Sequence, residues 1–84
     1  MEKFVLTGHA KTVMAERSIT EEWVQRVLSN PEEVETDKQD PTLSHGLGRI
    51  PEHGDRVLRV VYNHSVSPPS VVTAYFDRSM KGKL

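Results

Sequence analysis

The sequence predicts an α+β domain, in which an N-terminal strand and two helices precede a three- to four-stranded antiparallel sheet whose one face carries both helices. Three observations predict this class. A chain of 84 residues has room for one domain, residues 1–84, with one small core. Apolar residues recur at helical spacing within the first 30 residues. Later runs rich in β-branched and aromatic residues are typical of strands.

The first elements are a short strand and a helix. Residues 3–6 form the first strand candidate, and Thr7 or Gly8 can begin a helix without leaving its first N–H groups unsatisfied. Val13 and Met14 lie on the face that helical periodicity turns toward a core. We expect this helix to end near Ser18.

A second helix is predicted by stronger signals. Thr20 is a suitable N-cap, and Ile19 can pack on Val24 as a hydrophobic staple. Trp23 belongs to the apolar stripe that follows and is expected in the core. Pro31 ends the helix, because proline disfavours the α conformation in the residue before it.

The middle of the chain has turn chemistry. Residues 37–46 show no sustained apolar period, so we expect a mobile loop there that can act as a lid. Residues 33–36 and 46–50 are weaker strand candidates. Residues 57–62 and 71–76 are strong ones, and we expect these two to pair.

The composition excludes several classes of protein. Cysteine is absent, and the four histidines have no compact zinc spacing, so we expect neither a metal nor a cofactor. No charged start leads into an apolar stretch, and no apolar run approaches the roughly 20 residues that span a bilayer, which predicts a soluble protein. The absence of cysteine suits a reducing cytoplasm. A net charge of -1 excludes a uniformly basic coat but leaves room for a local cationic face.

Several short motifs resemble domain-of-unknown-function family 4258. They are His9-Ala10, Glu16-Arg17, Ile19-Thr20-Glu21-Glu22, Val27-Leu28, Asn30-Pro31-Glu32-Glu33, Gly48-Arg49, Leu58-Arg59-Val60-Val61-Tyr62 and Val71-Val72-Thr73-Ala74-Tyr75. The similarity extends over most of the chain.

A looser resemblance links the chain to BrnT-type ribonuclease toxins. The motifs that carry it are Asn30-Pro31, Gly48-Arg49, Val60-Val61-Tyr62 and Arg78-Ser79-Met80-Lys81. This resemblance implies a RelE-like fold, metal-free cleavage of RNA and a small cognate antitoxin as partner.

Metal-free RNA cleavage requires proton transfer and cations that stabilise the phosphate. His9 can exchange protons, and Arg17 follows it on a broad face of the same helix. Arg59 should point away from the sheet face that holds its neighbours in sequence, and Thr73 and Tyr75 can share its open face. We therefore predict that His9, Arg17, Arg59 and Tyr75 form a catalytic site.

RNA binding is predicted at four further side chains, Arg49, Thr73, Arg78 and Lys81, the last two within a basic C-terminal tail, residues 78–84. Structural alternatives stay open: His9 can cap its helix, Arg17 can anchor the interhelical corner, and Arg59 can pair with a glutamate across strands.

The function predicted from the sequence is a toxin-like, metal-independent endoribonuclease of a toxin-antitoxin system. The alternative is a non-catalytic module that binds protein or RNA on the same fold. Candidate partners are RNA, a small antitoxin and a second copy of the chain.

Overall fold

A computed structural model describes residues 3–84, so that Met1 and Glu2 of the predicted domain lie outside it. The elements follow the chain as β1 (Val5–Leu6), α1 (Gly8–Arg17), α2 (Glu21–Ser29), β2 (Glu33–Thr36), β3 (Leu43–Ile50), β4 (Arg56–Asn63) and β5 (Ser70–Phe76). Single turns of 3-10 helix occupy Pro51–His53 and Arg78–Met80. The α+β class is confirmed.

The described part of the chain forms a mixed sheet of five strands in the order β1-β5-β4-β3-β2. Strands β2 to β5 are antiparallel, whereas β1 runs parallel to β5 through the pairs Val5–Ser70 and Leu6–Val71. The strands that follow the helices are antiparallel, as predicted, but the sheet as a whole has one strand more than the predicted three or four, because β1 joins its edge in parallel. A strand of two residues whose partner lies some 65 residues away leaves no local pattern that reveals its direction.

Both helices begin and end where the sequence predicts. The Thr7 hydroxyl accepts a hydrogen bond from the N–H of Ala10, and the Thr20 hydroxyl accepts one from the N–H of Trp23, each at 3.1 Å. Ser18 closes α1 in the left-handed conformation, with φ of 56°. These caps fix the corner between the two helices.

The core lies between the helices and one face of the sheet. It contains Ala10, Met14, Ile19, Val24, Val27, Leu28, Ile50, Leu58, Val60, Tyr62, Val71 and Ala74. Two glycines of β3 let α2 approach the sheet: a Cβ on Gly48 would lie 3.2 Å from Cγ2 of Val27, and one on Gly46 would meet Val27 at 3.6 Å. Among residues 3–84 no helix covers the second sheet face, which is called the open face below.

The predicted loop is shorter than expected. Residues 43–46 belong to β3, where pairing with β2 on one side and β4 on the other outweighs their weak strand propensity. The remaining turn is closed by Asp37, which accepts the backbone N–H groups of Gln39 and Asp40. The basic terminal segment is likewise structured at its start, where Asp77 caps the 3-10 turn.

Candidate functional site

The open face of the sheet brings polar side chains together at its centre. Arg59 of β4 lies opposite Tyr75 of β5, as the predicted shared face requires. His45 of β3 lies opposite Glu35 of β2. Because directly paired residues on neighbouring strands project to the same face, the register places carboxylate, imidazole and guanidinium groups side by side.

Arg59 is the centre of this group. Only 9% of the residue is exposed. Its Nε donates to Oδ2 of Asp77 at 2.9 Å, and its Nη2 lies 2.7 Å from the same oxygen. Its Nη1 donates to Oε1 of Glu35 at 3.0 Å and contacts Nδ1 of His45 at 2.9 Å. Arg59, Asp77, Glu35, His45 and Asp37 are called the Arg59 cluster below.

The contact with Arg59 determines where His45 carries its hydrogen. A guanidinium has only donors, so Nδ1 of His45 must accept. The hydrogen of the imidazole is then on Nε2, which donates to Oδ1 of Asp37 at 2.7 Å. Asp37 therefore orients the ring, and the Nδ1 lone pair faces the guanidinium.

The charges in the cluster stabilise one another. Burial lowers the pKa of Arg59, but the hydrogen bonds to Glu35 and Asp77 outweigh it and raise the pKa overall. The pKa of Asp77 is lowered, first by the Ser79 hydroxyl and also by Arg59. The hydrogen bond from His45 lowers the pKa of Asp37. Two carboxylates contact the guanidinium and a third, Asp37, contacts the imidazole, so the resting cluster has an excess of negative charge.

A concavity of about 370 Å³ opens beside the cluster. It is lined by Glu35, Thr36, Asp37, Lys38, Gln39, His45 and Arg59. The floor is the buried guanidinium, and the exposed Lys38 contributes a cation to the lining. The concavity is therefore polar and gives solvent access to the imidazole and to Glu35.

The structure does not bring all four predicted catalytic residues together. Arg59 and Tyr75 share the open face, and Thr73 lies on the same face opposite Val61. His9 is exposed on α1, which packs on the other face. The predicted convergence of His9 with Arg59 is therefore absent, because the sheet separates them.

Arg17 also lies on the helical side. Its Nη1 donates to the backbone carbonyl of Ala74 at 2.9 Å, which ties the end of α1 to β5. This contact fits the structural alternative, in which Arg17 anchors the corner after α1, better than it fits a phosphate site. The carbonyl that Arg17 binds belongs to β5 and not to α1.

The four predicted RNA-binding residues are dispersed. Arg49 pairs with Glu32, with 3.1 Å between Nη2 and Oε1. Arg78 and Lys81 line a separate pocket at the end of the sheet, where β4 begins and β5 ends. Thr73 is the one that shares the open face with Arg59.

Sequence reasoning missed Glu35, Asp37, His45 and Asp77. Glu35 of β2 and His45 of β3 project to the same sheet face as Arg59. Knowledge of how β2 pairs with β3, and β3 with β4, would have placed both beside Arg59. The assignment of residues 37–46 to a loop concealed His45, and the register of β2 on β3 cannot be read from residues 33–36 alone. Asp77 follows the predicted strand directly, and its position after Phe76 is the only local signal.

Residues 6–76 match the model of the family described as Domain of unknown function (DUF4258), and the chain belongs to that family. No curated protein and no solved structure matches the chain. Within residues 3–84, no group of three or more His, Asp or Glu side chains could hold a metal ion. No helix in the same range is long and apolar enough to cross a membrane.

Proposed function

We propose that the protein cleaves RNA without a metal ion, using the Arg59 cluster on the open face. The observation that carries the proposal is the convergence of Glu35 and His45 on Arg59, at 3.0 and 2.9 Å. A carboxylate, an imidazole and a guanidinium are the groups that can accept a proton, return one and stabilise a pentavalent phosphate. This site replaces the one centred on His9.

A phosphate reaches Arg59 by displacing one of its carboxylates. The side chain of Glu35 is 42% exposed, against 15% for Asp77, so Glu35 is the partner that gives way. Asp77 holds the guanidinium in place during the exchange. Phosphate and carboxylate present similar oxygens to the guanidinium, so the exchange preserves its hydrogen bonding.

The displaced Glu35 is the general base in this proposal. It takes the proton of a ribose 2'-hydroxyl, the 2'-oxygen attacks phosphorus, and the bond to the 5'-oxygen breaks. His45 takes a proton from solvent at Nδ1 and donates it to the departing 5'-oxygen, and Glu35 returns the proton of the 2'-hydroxyl to solvent after the step. Asp37 stabilises the imidazolium through Nε2. The products are a 2',3'-cyclic phosphate and a free 5'-hydroxyl.

Tyr75 lies beside Arg59 in the register and is half-buried. In this proposal its ring stacks against a base, while Thr73 on the same face donates a hydroxyl to the backbone of the RNA.

The test is incubation of the full chain with an RNA oligonucleotide in the presence of a chelator. We expect products that end in a 2',3'-cyclic phosphate, and no cleavage where a 2'-deoxynucleotide replaces the target ribose. Glu35→Gln and His45→Gln should each lower the rate by about 10²- to 10⁴-fold, the usual contribution of a proton-transfer group. Circular dichroism checks that each variant is folded.

Matched controls are available in the other histidines. His64→Gln changes an exposed histidine on the loop after β4 and should leave the rate unchanged. His9→Ala distinguishes the open face from the helical side: loss of cleavage in His9→Ala together with full activity in His45→Gln would contradict the proposed site. No cleavage by the wild-type chain would contradict the proposed activity.

The resemblance to BrnT-type toxins supports a more specific form of the proposal. In that form the chain has a RelE-like fold, acts on RNA in the cytoplasm as the toxin of a toxin-antitoxin system, and is inhibited by a small antitoxin. Isolation of the complex from cells and loss of cleavage on its formation test this form.

A second candidate function is a non-catalytic interaction module. It is favoured by the commitment of Arg59 to two carboxylates and one imidazole, which leaves little of the guanidinium for a ligand. In that case the cluster has a structural role. Glu35→Gln and His45→Gln would then change the free energy of unfolding without an activity to lose.

A further inference from the structure

A second pocket lies at the end of the sheet where β4 begins and β5 ends. Its volume is about 190 Å³, and it is lined by Arg56, Val57, Phe76, Asp77, Arg78 and Lys81. It is called the basic pocket below. The backbone N–H of Asp77 donates to the carbonyl of Val57 at 2.9 Å, and this bond holds the two strands together at the base of the pocket.

The 3-10 turn after β5 positions two of the cations. Asp77 caps the turn by accepting the N–H and the hydroxyl of Ser79, at 3.0 and 2.6 Å. The chain then turns so that Arg78 and Lys81 line the same pocket as Arg56, the first residue of β4. Local capping therefore brings three cations together from two distant segments.

These three cations have no acidic partner among residues 3–84. Arg56, Arg78 and Lys81 take part in none of the ion pairs of that part of the chain. By contrast, Arg26 and Arg49 are each paired with a glutamate. All three are exposed, so their charges are available to an anion from solution.

Asp77 is the one carboxylate in the lining, and it is already neutralised. Its Oδ2 accepts Nε of Arg59, and its Oδ1 accepts the two donors of Ser79. The basic pocket therefore keeps a net positive charge, whereas the neighbouring Arg59 cluster is negative. The overall charge of -1 conceals this separation.

The apolar side chain of the lining that a ligand can reach is the half-buried ring of Phe76. Val57 is 1% exposed and projects to the other face of the sheet, because its neighbour Leu58 is the residue paired with Phe76. The Phe76 ring stacks on His53, with 4.6 Å between ring centroids and 23° between planes, and the edge of Trp23 packs within 6.0 Å. An aromatic ring beside three cations matches a ligand that has a planar ring and a phosphate, since the ring of the ligand can pack on Phe76 while its phosphate is bound.

We propose that the basic pocket binds a nucleotide, with its phosphate held by Arg56, Arg78 and Lys81 and its base against Phe76. The identification of that nucleotide as part of an RNA strand rests on the proposed function. The shared residue Asp77 makes the pocket adjacent to the Arg59 cluster, so the bound nucleotide would be a neighbour of the scissile phosphate. The pocket would then supply the attraction for RNA that the anionic cluster lacks.

The experiment follows backbone amide shifts of the full 15N-labelled chain during titration with adenosine 5'-monophosphate, inorganic phosphate or adenosine. Adenosine 5'-monophosphate should shift the amides of Val57, Phe76 and Arg78 and bind more tightly than either of the other two probes. The double variant Arg56→Gln, Arg78→Gln should weaken its binding by at least about tenfold, because each lost charge-assisted hydrogen bond costs about that factor. Lys11→Gln, on the exposed side of α1, is the matched control and should bind as the wild type does.

Three results would overturn the inference: shifts centred on His45 instead of the pocket, unchanged affinity in the double variant, or binding of inorganic phosphate as tight as that of the nucleotide. Failure of the proposed function is distinguishable. If the wild-type chain binds the nucleotide at the pocket but leaves RNA intact, only the catalytic proposal fails. If the double variant cleaves RNA at the wild-type rate and no nucleotide binds at the pocket, only this inference fails.

Discussion

Arg59 and Asp77 connect the centre of β4 to the residue that follows β5, with 2.9 Å from Nε and 2.7 Å from Nη2 to a single carboxylate oxygen. The side chains of Arg59 and Asp77 are 11% and 15% exposed, so water can solvate either charge only poorly when its partner is removed. The pair therefore contributes to the stability of the fold as well as to the position of the guanidinium.

Arg59→Ala should lower the free energy of unfolding by about 2–4 kcal/mol, because it leaves the charge of Asp77 poorly solvated and without its partner. Urea denaturation measures the change. Asp77→Asn removes the other partner, and the double variant should be less destabilised than the sum of the two single variants by at least about 1 kcal/mol. Additive effects would contradict a direct interaction between these side chains.

The His45 ring should carry its hydrogen on Nε2, since Nδ1 accepts from Arg59 and Nε2 donates to Asp37. Long-range 1H–15N correlation spectra at alkaline pH distinguish the two nitrogens. In Arg59→Ala the preference should weaken, because Nδ1 loses its donor. His64 is an internal control: its Nε2 contacts the carbonyl of Pro41 at 3.0 Å, and its tautomer should not respond to the variant. A wild-type His45 with hydrogen on Nδ1 would contradict the arrangement.

The sequence was informative where the signals are local. Thr7 and Thr20 identify the helix starts, and strand propensity identifies β4 and β5, because caps and alternation act over a few residues. Long-range pairing has no such signal. The parallel direction of β1 and the strand that contains His45 depend on partners far along the chain, and tertiary pairing decides both.

The candidate site divides in the same way. Alternation along β4 is sufficient to place Arg59 on the open face, and its pairing with Tyr75 follows once β4 and β5 are adjacent. His9 was assigned to the site because its imidazole can transfer protons and it shares a helix face with Arg17. Which face of the sheet that helix covers is decided by the packing of Val60 and its neighbours against the helices.

The ion pair between Arg26 and Glu52 makes stability depend on pH in acid. Two hydrogen bonds of 2.8 Å from Arg26 lower the pKa of Glu52 from 4.5 to about 2. Because the folded-state pKa lies below the unfolded value, the contribution is complete above pH 4.5 and is lost as the pH falls toward 2.

Glu52→Gln should therefore be less stable than the wild type at neutral pH, and the difference should disappear on acidification across that window. Urea denaturation at a series of pH values measures it. In an Arg26→Gln background the same substitution should produce a smaller pH-dependent difference, since the largest cause of the lowered pKa is gone while the hydrogen bonds from the backbone and from Trp23 remain. A difference that does not shrink between pH 4.5 and pH 2 would contradict this account. High salt should reduce the effect, because the pair is exposed.

The two glycines of β3 should respond oppositely to the same substitution. A Cβ on Gly48 would lie 3.2 Å from Val27, closer than ordinary contact, whereas one on Gly46 would meet its neighbours at 3.6 Å or more. Gly48→Ala should lower the free energy of unfolding by about 1–2 kcal/mol through overpacking between β3 and α2. Gly46→Ala should be neutral or stabilise by up to about 0.5 kcal/mol, because it restricts the unfolded chain without a clash.

Val27→Ala provides the decisive background, because it removes the methyl groups that a new Cβ at position 48 would meet. In that background Gly48→Ala should no longer destabilise the protein, and it should fill part of the space that the truncated valine leaves. Thermal and urea denaturation of the four proteins of this cycle give the coupling free energy. If Gly46→Ala and Gly48→Ala change the free energy of unfolding equally in the wild-type background, α2 can move away from β3 without cost. The close approach at Gly48 would then not determine the position of the helix.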